Sequence, residues 1–244
     1  MLLFLHRNFT PCAALETYLP HLKIMALRDS EIPNEGFFFA MKGGHNNESH
    51  NHNDVGSFIV YRNGKPVLID VGVGTYTRQT FSADRYKIWS MQSLYHNLPT
   101  FGGVGQHQGE NFASKNEIYD RENRSLTLDL TDAYEDDCGL VSYVRRGSLN
   151  NGVITLNESV NLDGQREIDF IFVTHRAPEL LSGRRISLAE NCVLEYDEGL
   201  IAEIETFDPV GLNAQSAWGT ETMYRIHLKT QADSIECAFR ITQE

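Results

Sequence analysis

The stretch Ser57-Phe-Ile-Val-Tyr-Arg-Asn-Gly-Lys-Pro-Val-Leu-Ile-Asp-Val-Gly72 reads as two short strands folded about a two-residue turn. Asn63-Gly64 supplies the pair of residues that tolerate positive φ in a tight hairpin. The flanks are β-branched and aromatic, which suits a pleated, half-buried surface. With Asn63-Gly64 at the centre, simple register sets Asp70 opposite Ser57. A residue further upstream, such as His52, reaches Asp70 only if the chain bends before Gly56.

The same grammar extends along the chain. Runs at Gly36–Met41, Ser57–Tyr61, Pro66–Val71, Ser125–Leu130, Gly139–Val144 and Val153–Leu156 read as strands. So do Glu167–Val173, Cys192–Tyr196, Leu200–Glu205, Met223–Leu228 and Ser234–Ile241. Asn151-Gly152 and Asp163-Gly164 are read as two further hairpin turns. The expectation is an all-β protein, a large antiparallel β-sandwich with a short helical lead-in. Thr10 caps a helix over Pro11–Leu22, where Leu15, Tyr18, Leu19 and Leu22 have helical spacing. A second helical interruption is expected over Ser82–Ser93. Residues 1–32 form the lead-in, and one continuous domain runs from 33 to 244.

Composition narrows the function. The 244 residues carry 21 Lys+Arg against 33 Asp+Glu, a net charge of -12. No basic run could track a phosphate backbone, which disfavours nucleic acid. The same acidity opposes a chain that grips a polyanion unaided. No apolar run approaches the ~20 residues of a membrane span, and Met1–Leu5 is too short for the core of a signal peptide. The four cysteines, Cys12, Cys138, Cys192 and Cys237, lack metal or redox spacing and read as small buried residues.

Chemistry concentrates in Gly43-Gly-His-Asn-Asn-Glu-Ser-His-Asn-His-Asn-Asp-Val-Gly56. On an extended segment His50, His52 and Asp54 would share one side, about 7 Å apart. Asp70, an acid inside an apolar strand, costs free energy unless paired or bound to a cation, or else caps the turn at Gly72 and Gly74. His96, in Tyr95-His-Asn97, is a third candidate ligand. Imidazole and carboxylate together suit zinc.

The string His50-Asn-His52-Asn-Asp54-Val-Gly56-Ser-Phe58, then Gly64-Lys-Pro-Val-Leu-Ile-Asp70-Val-Gly72, then His96-Asn97, resembles the central signature of the heparinase II/III-like β domain. The resemblance implies a polysaccharide lyase that cleaves uronic-acid-containing glycans, heparan sulfate-like or alginate-like, by β-elimination. It implies His50 as catalytic, His52, Asp70 and His96 as ligands of zinc or a similar divalent metal, and a tyrosine as base and acid. Tyr76, Tyr86 and Tyr95 are available, with Tyr76 and Tyr86 as the candidates. Members of the family carry a helical toroid ahead of the β domain, so the expected partners are an acidic polysaccharide and a toroid in cis or in trans. A periplasmic or secreted location follows by the same resemblance.

Three rival readings stand beside it. Gly44, five residues, then His50-Asn-His52 resembles the start of a cupin motif, but Gly56 and Ser57 stand where its glutamate belongs. The metallo-hydrolase pattern His-x-His-x-Asp-His breaks at Val55. A non-catalytic carbohydrate-associated sandwich would keep zinc as a structural staple.

Overall fold

A computed structural model describes residues 12–212 and 217–244. The chain forms β1 (Glu16–Leu19), β2 (Ile24–Arg28), β3 (Phe37–Lys42), the two-residue β4 (His45–Asn46), β5 (Phe58–Arg62) and β6 (Lys65–Leu68). Four short 3-10 helices follow, from Gln79 to Tyr95. Then come β7 (Pro99–Phe101), β8 (Gly109–Ala113), β9 (Lys115–Asp120), β10 (Ser125–Asp129), β11 (Leu140–Asn150) and β12 (Val153–Thr174). The chain continues through β13 (Glu179–Leu181), β14 (Arg185–Ser187), β15 (Cys192–Tyr196), β16 (Ile201–Phe207) and β17 (Met223–Gln243).

Two antiparallel sheets hold the core. The smaller runs β1-β2-β3-β5-β6, and the larger runs β13-β14-β15-β17-β12-β11-β10-β9, with β16 on β17 and β7 on β12. Alternation decides which side chains lie between them. Phe37, Phe39 and Met41 of β3 and Phe58 and Val60 of β5 are buried on one side. Leu126, Leu128, Leu156, Phe170, Phe172 and Phe239 are buried from the larger sheet. Each such side chain contributes about 1.5–3 kcal/mol through removal from water.

The hairpin reading holds at Asn63-Gly64 and Asn151-Gly152, where both residues of each pair have positive φ and Arg62 pairs with Lys65 and Asn150 with Val153. Asp163-Gly164 is different. It is no hairpin but a register shift inside β12 between Asn161 and Arg166, where the strand continues along β17. The runs Val153–Leu156 and Glu167–Val173 are therefore one strand, as are Met223–Leu228 and Ser234–Ile241.

The expected helix over Pro11–Leu22 is not formed. Glu16–Leu19 is a strand paired with β2, and Tyr18 stacks on Tyr119 with ring centroids 4.6 Å apart. Sheet pairing overrides a weak four-residue helical spacing. Thr10, Pro11 and Met1–Leu5 lie outside the described residues. Over Ser82–Ser93 there is likewise no α-helix, only 3-10 helices at Ala83–Lys87, Trp89–Met91 and Ser93–Tyr95 with extended residues between them. Cys138, Cys192 and Cys237 are buried and free, whereas Cys12 is exposed. No helix among the described residues is long and apolar enough to cross a membrane, which says nothing of a β-barrel.

Candidate metal centre

The site lies where the smaller sheet runs into the larger. Simple hairpin register holds for two pairs past the turn and then fails: Tyr61 pairs with Pro66 but Val60 with Leu68, a bulge that displaces Asp70 from Ser57. Upstream, Gly56 has a φ of +90°, and a Cβ there would lie 2.5 Å from Leu130 Cδ1. Only glycine makes this turn without strain. It supplies the bend before β5 that brings His52 back over Asp70.

His52, Asp70 and His96 each offer a ligand atom, and the three atoms lie within 4.8 Å of one another. The His96 ring is fully buried, with Nδ1 2.8 Å from Asp70 Oδ2 and Nε2 3.2 Å from the Ser90 carbonyl. Asp70 accepts the Gly72 N–H on its other oxygen at 2.8 Å, so it caps the turn and faces the histidine at once. It is not buried as the apolar run suggests, since its side chain is 33% exposed. Burial of the ring disfavours a charged His96, but the Asp70 carboxylate outweighs it and raises the pKa above the ordinary 6.5. Burial likewise opposes charge on Asp70, and His96 outweighs it and holds the carboxyl well below its usual range. His52 behaves oppositely. Burial, reinforced by His96, lowers it to about 4, so its imidazole is neutral near pH 7.

This donor set fits a zinc-class ion. It combines a neutral imidazole, a carboxylate that is ionised at neutral pH, and a second imidazole whose Nε2–H is fixed on a carbonyl while Nδ1 faces the cluster. No other such group of ligands occurs among the described residues.

The remaining expected residues separate into two groups. Asp54 does not share a side with His50 and His52. The segment is not extended, because His50 has a φ of +60°. Asp54 instead pairs with Lys42 at 2.8 Å. His50 is exposed and stands edge-on to Tyr76, centroids 6.2 Å apart, and Tyr76 stacks on Phe81 at 5.6 Å. Tyr76 is 48% and Phe81 73% exposed, so this row of rings faces outward. Tyr86 donates its hydroxyl to Asn51 Oδ1 at 2.9 Å, and Arg85 donates to the Asn51 carbonyl at 2.7 Å. Tyr86 thus holds the turn between His50 and His52. Tyr95 packs on Trp89 and Phe207 and carries Arg225 over its ring.

Sequence reasoning missed the polar side chains that hold the loop. Gln106 pairs with Val55 through both amide atoms, Oε1 accepting at 3.1 Å and Nε2 donating at 2.6 Å. Gln106 Oε1 also accepts from Asn46. No motif marks these residues.

Fold and site together define an antiparallel β-sandwich with a His-Asp-His cluster that could hold a metal ion at the junction of its sheets. The family model described as Heparinase II/III-like, C-terminal matches residues 17–233, and the chain belongs to that family. Among solved structures, a heparinase III gene product with methylated lysines superposes with a TM-score of 0.73 at 14% identity, covering 93% of this chain and 35% of that one. A mutant of the heparan sulfate lyase HepC from Pedobacter heparinus gives 0.72 at 12% identity, with 94% and 36% covered. Another heparinase III gives 0.69 at 16%, with 93% and 36% covered. At these identities the likeness is one of fold. The chain spans about a third of the length of the structures it matches. A comparison with curated protein sequences gives no match.

Proposed function

We propose that this chain is the metal-holding β part of a lyase that cleaves uronic-acid-containing polysaccharides, heparan sulfate-like or alginate-like, by β-elimination. A helical domain outside these residues completes the active site, and the enzyme works in the periplasm or outside the cell. The observation that carries the reading is the convergence of His52, Asp70 and His96 directly beneath a turn that presents His50 outward beside Tyr76, in a chain of the heparinase II/III-like C-terminal family.

In β-elimination a base takes the C5 proton, the electron pair becomes the C4=C5 double bond, and the C4–O bond breaks as an acid protonates the leaving oxygen. The proton is acidic only when the uronate carboxylate is neutralised. In this reading His50, exposed on its turn, meets that carboxylate or takes the C5 proton, and Tyr76 beside it offers a phenol. Tyr86 acts from behind, fixing Asn51 between the two histidines. When bound, a zinc-class ion supplies fixed positive charge and ties together the three segments that carry its ligands. The net charge of -12 leaves recognition of an acidic chain to groups from the other domain.

The test joins the chain to a helical toroid domain of the family, in cis or in trans, and follows the ultraviolet absorbance of the unsaturated uronate on heparan sulfate and alginate. Turnover by the pair, lost in His50→Ala with zinc content unchanged, is the expected result. Equal turnover by the chain alone would mean that the catalytic groups lie elsewhere, and loss of metal in His50→Ala would make His50 a ligand.

A further inference from the structure

Two buried polar side chains that no part of this chemistry uses lie directly behind the ligands. Asn97 is fully buried, next to His96, and its carboxamide is bonded on every side. Nδ2 donates to the Phe58 carbonyl at 2.6 Å and to the Ile69 carbonyl, beside Asp70, at 3.1 Å. Oδ1 accepts the Val173 N–H at 2.7 Å, and Ile69 N–H in turn donates to the Val173 carbonyl at 2.9 Å. The carboxamide therefore stands in for a peptide unit where β5, the end of β6 and the end of β12 diverge.

Arg145 is 1% exposed and reaches the same place from β11. Its NH1 donates to the Asn97 carbonyl at 2.7 Å and to the Gly56 carbonyl at 2.9 Å, while Nε donates to Glu158 Oε1 at 2.8 Å. One guanidinium thus joins the turn that follows His52 to the residue that follows His96. A buried ion pair is a poor source of stability, because well-packed apolar residues serve as well or better. The aim of this pair at two carbonyls flanking the ligand segments gives it another use.

We infer that Asn97 and Arg145 are positioning residues for the metal centre: Asn97 sets His96 against Asp70, and Arg145, held by Glu158, sets the His52 turn against both. The inference rests on the reading of His52, Asp70 and His96 as ligands. Residues behind the ligands of metal sites typically hold about 10–100-fold of the affinity.

The experiment uses the full chain with zinc and cobalt as probes. Asn97→Ala and Arg145→Lys are compared with Leu194→Ala, a core change in β15. Affinity is read by competition with a chromophoric chelator, geometry from the visible absorption of bound Co2+, and folding from circular dichroism of the metal-free protein. Arg145→Lys keeps the charge opposite Glu158 and is the variant expected to fold if Asn97→Ala does not. The expected result is zinc affinity at least ~10-fold weaker in the folded variants, with an altered cobalt spectrum. Leu194→Ala should lower the thermal midpoint yet keep the wild-type affinity and spectrum. Folded Asn97 or Arg145 variants with wild-type affinity and spectrum would overturn the inference while leaving the ligand assignment standing. A wild-type chain that binds neither ion would remove the ligand assignment, and the inference with it.

Discussion

Two histidines in this molecule meet an aspartate in the same way but in different surroundings. His96 Nδ1 lies 2.8 Å from Asp70 Oδ2, and His227 Nδ1 lies 2.8 Å from Asp169 Oδ2. The difference is in what the rest of each group faces. His96 sets Nε2 on a backbone carbonyl, Asp70 keeps a third of its surface open, and His52 brings a neutral imidazole to the same point. His227 instead sets Nε2 3.1 Å from a second carboxylate, Glu205, which Arg225 also holds. Its two nitrogens point to opposite sides, towards β12 and β16, so the ring cross-links three strands and offers no atom to an ion. Convergence of donors on one point, and not the histidine-carboxylate pair itself, makes a candidate ligand site.

The sharpest way to break this comparison is to remove the aspartate from each pair. Asp70→Ala should reduce bound zinc from about one per chain to background, a loss of more than ~100-fold in affinity, because the only carboxylate of the cluster is gone. Asp169→Ala should leave zinc content unchanged. Elemental analysis of protein prepared without chelator distinguishes the two, and equal zinc in both variants would place the metal elsewhere. Both changes should cost stability in the metal-free proteins. Asp169→Ala leaves the buried His227 with Glu205 alone and should cost about 1–3 kcal/mol by urea unfolding. Asp70→Ala in the absence of metal should cost at least as much, since the fully buried His96 loses the carboxylate that outweighs its burial.

Much of the cluster could be read before any coordinates. His52, Asp70 and His96 are named by motif, and the Asn63-Gly64 hairpin fixes the strands that lead up to Asp70. What could not be read was how they meet. The bulge between Val60 and Tyr61 and the bend at Gly56 depend on long-range packing, including Leu130 against Gly56. The turn-like Asp163-Gly164 is a bulge because β17 is long enough to pair with β12 on both sides of it. Arg145 and Glu158 leave a fainter trace. In β11 the inward positions run Tyr143, Arg145, Gly147, Leu149, and in β12 Ile154, Leu156, Glu158, Val160, with Arg145 directly opposite Glu158. A single opposite-charge pair at facing inward positions is what a buried ion pair looks like in sequence, once the register is known. Without that register the two residues are only an Arg and a Glu among polar neighbours.

The smallest effect sharpens the comparison at Glu205. Burial opposes its charge, but the His227 hydrogen bond and the Arg225 guanidinium outweigh it, holding its carboxyl below the ordinary 4.5. A carboxylate held lower in the folded than in the unfolded chain stabilises the fold above the unfolded pKa, and that contribution disappears as pH falls through the folded value. The stabilisation from Glu205 is therefore complete at neutral pH and lost progressively below 4.5. Its side chain is 43% exposed, so screening limits the contribution to a few tenths of a kcal/mol. Glu205→Gln should lower the thermal midpoint slightly at neutral pH and should converge on the wild type in acid, with zinc content unchanged throughout. If the gap between variant and wild type stayed constant as the pH fell, the loss would be one of packing and the cross-link through His227 would not depend on the Glu205 charge.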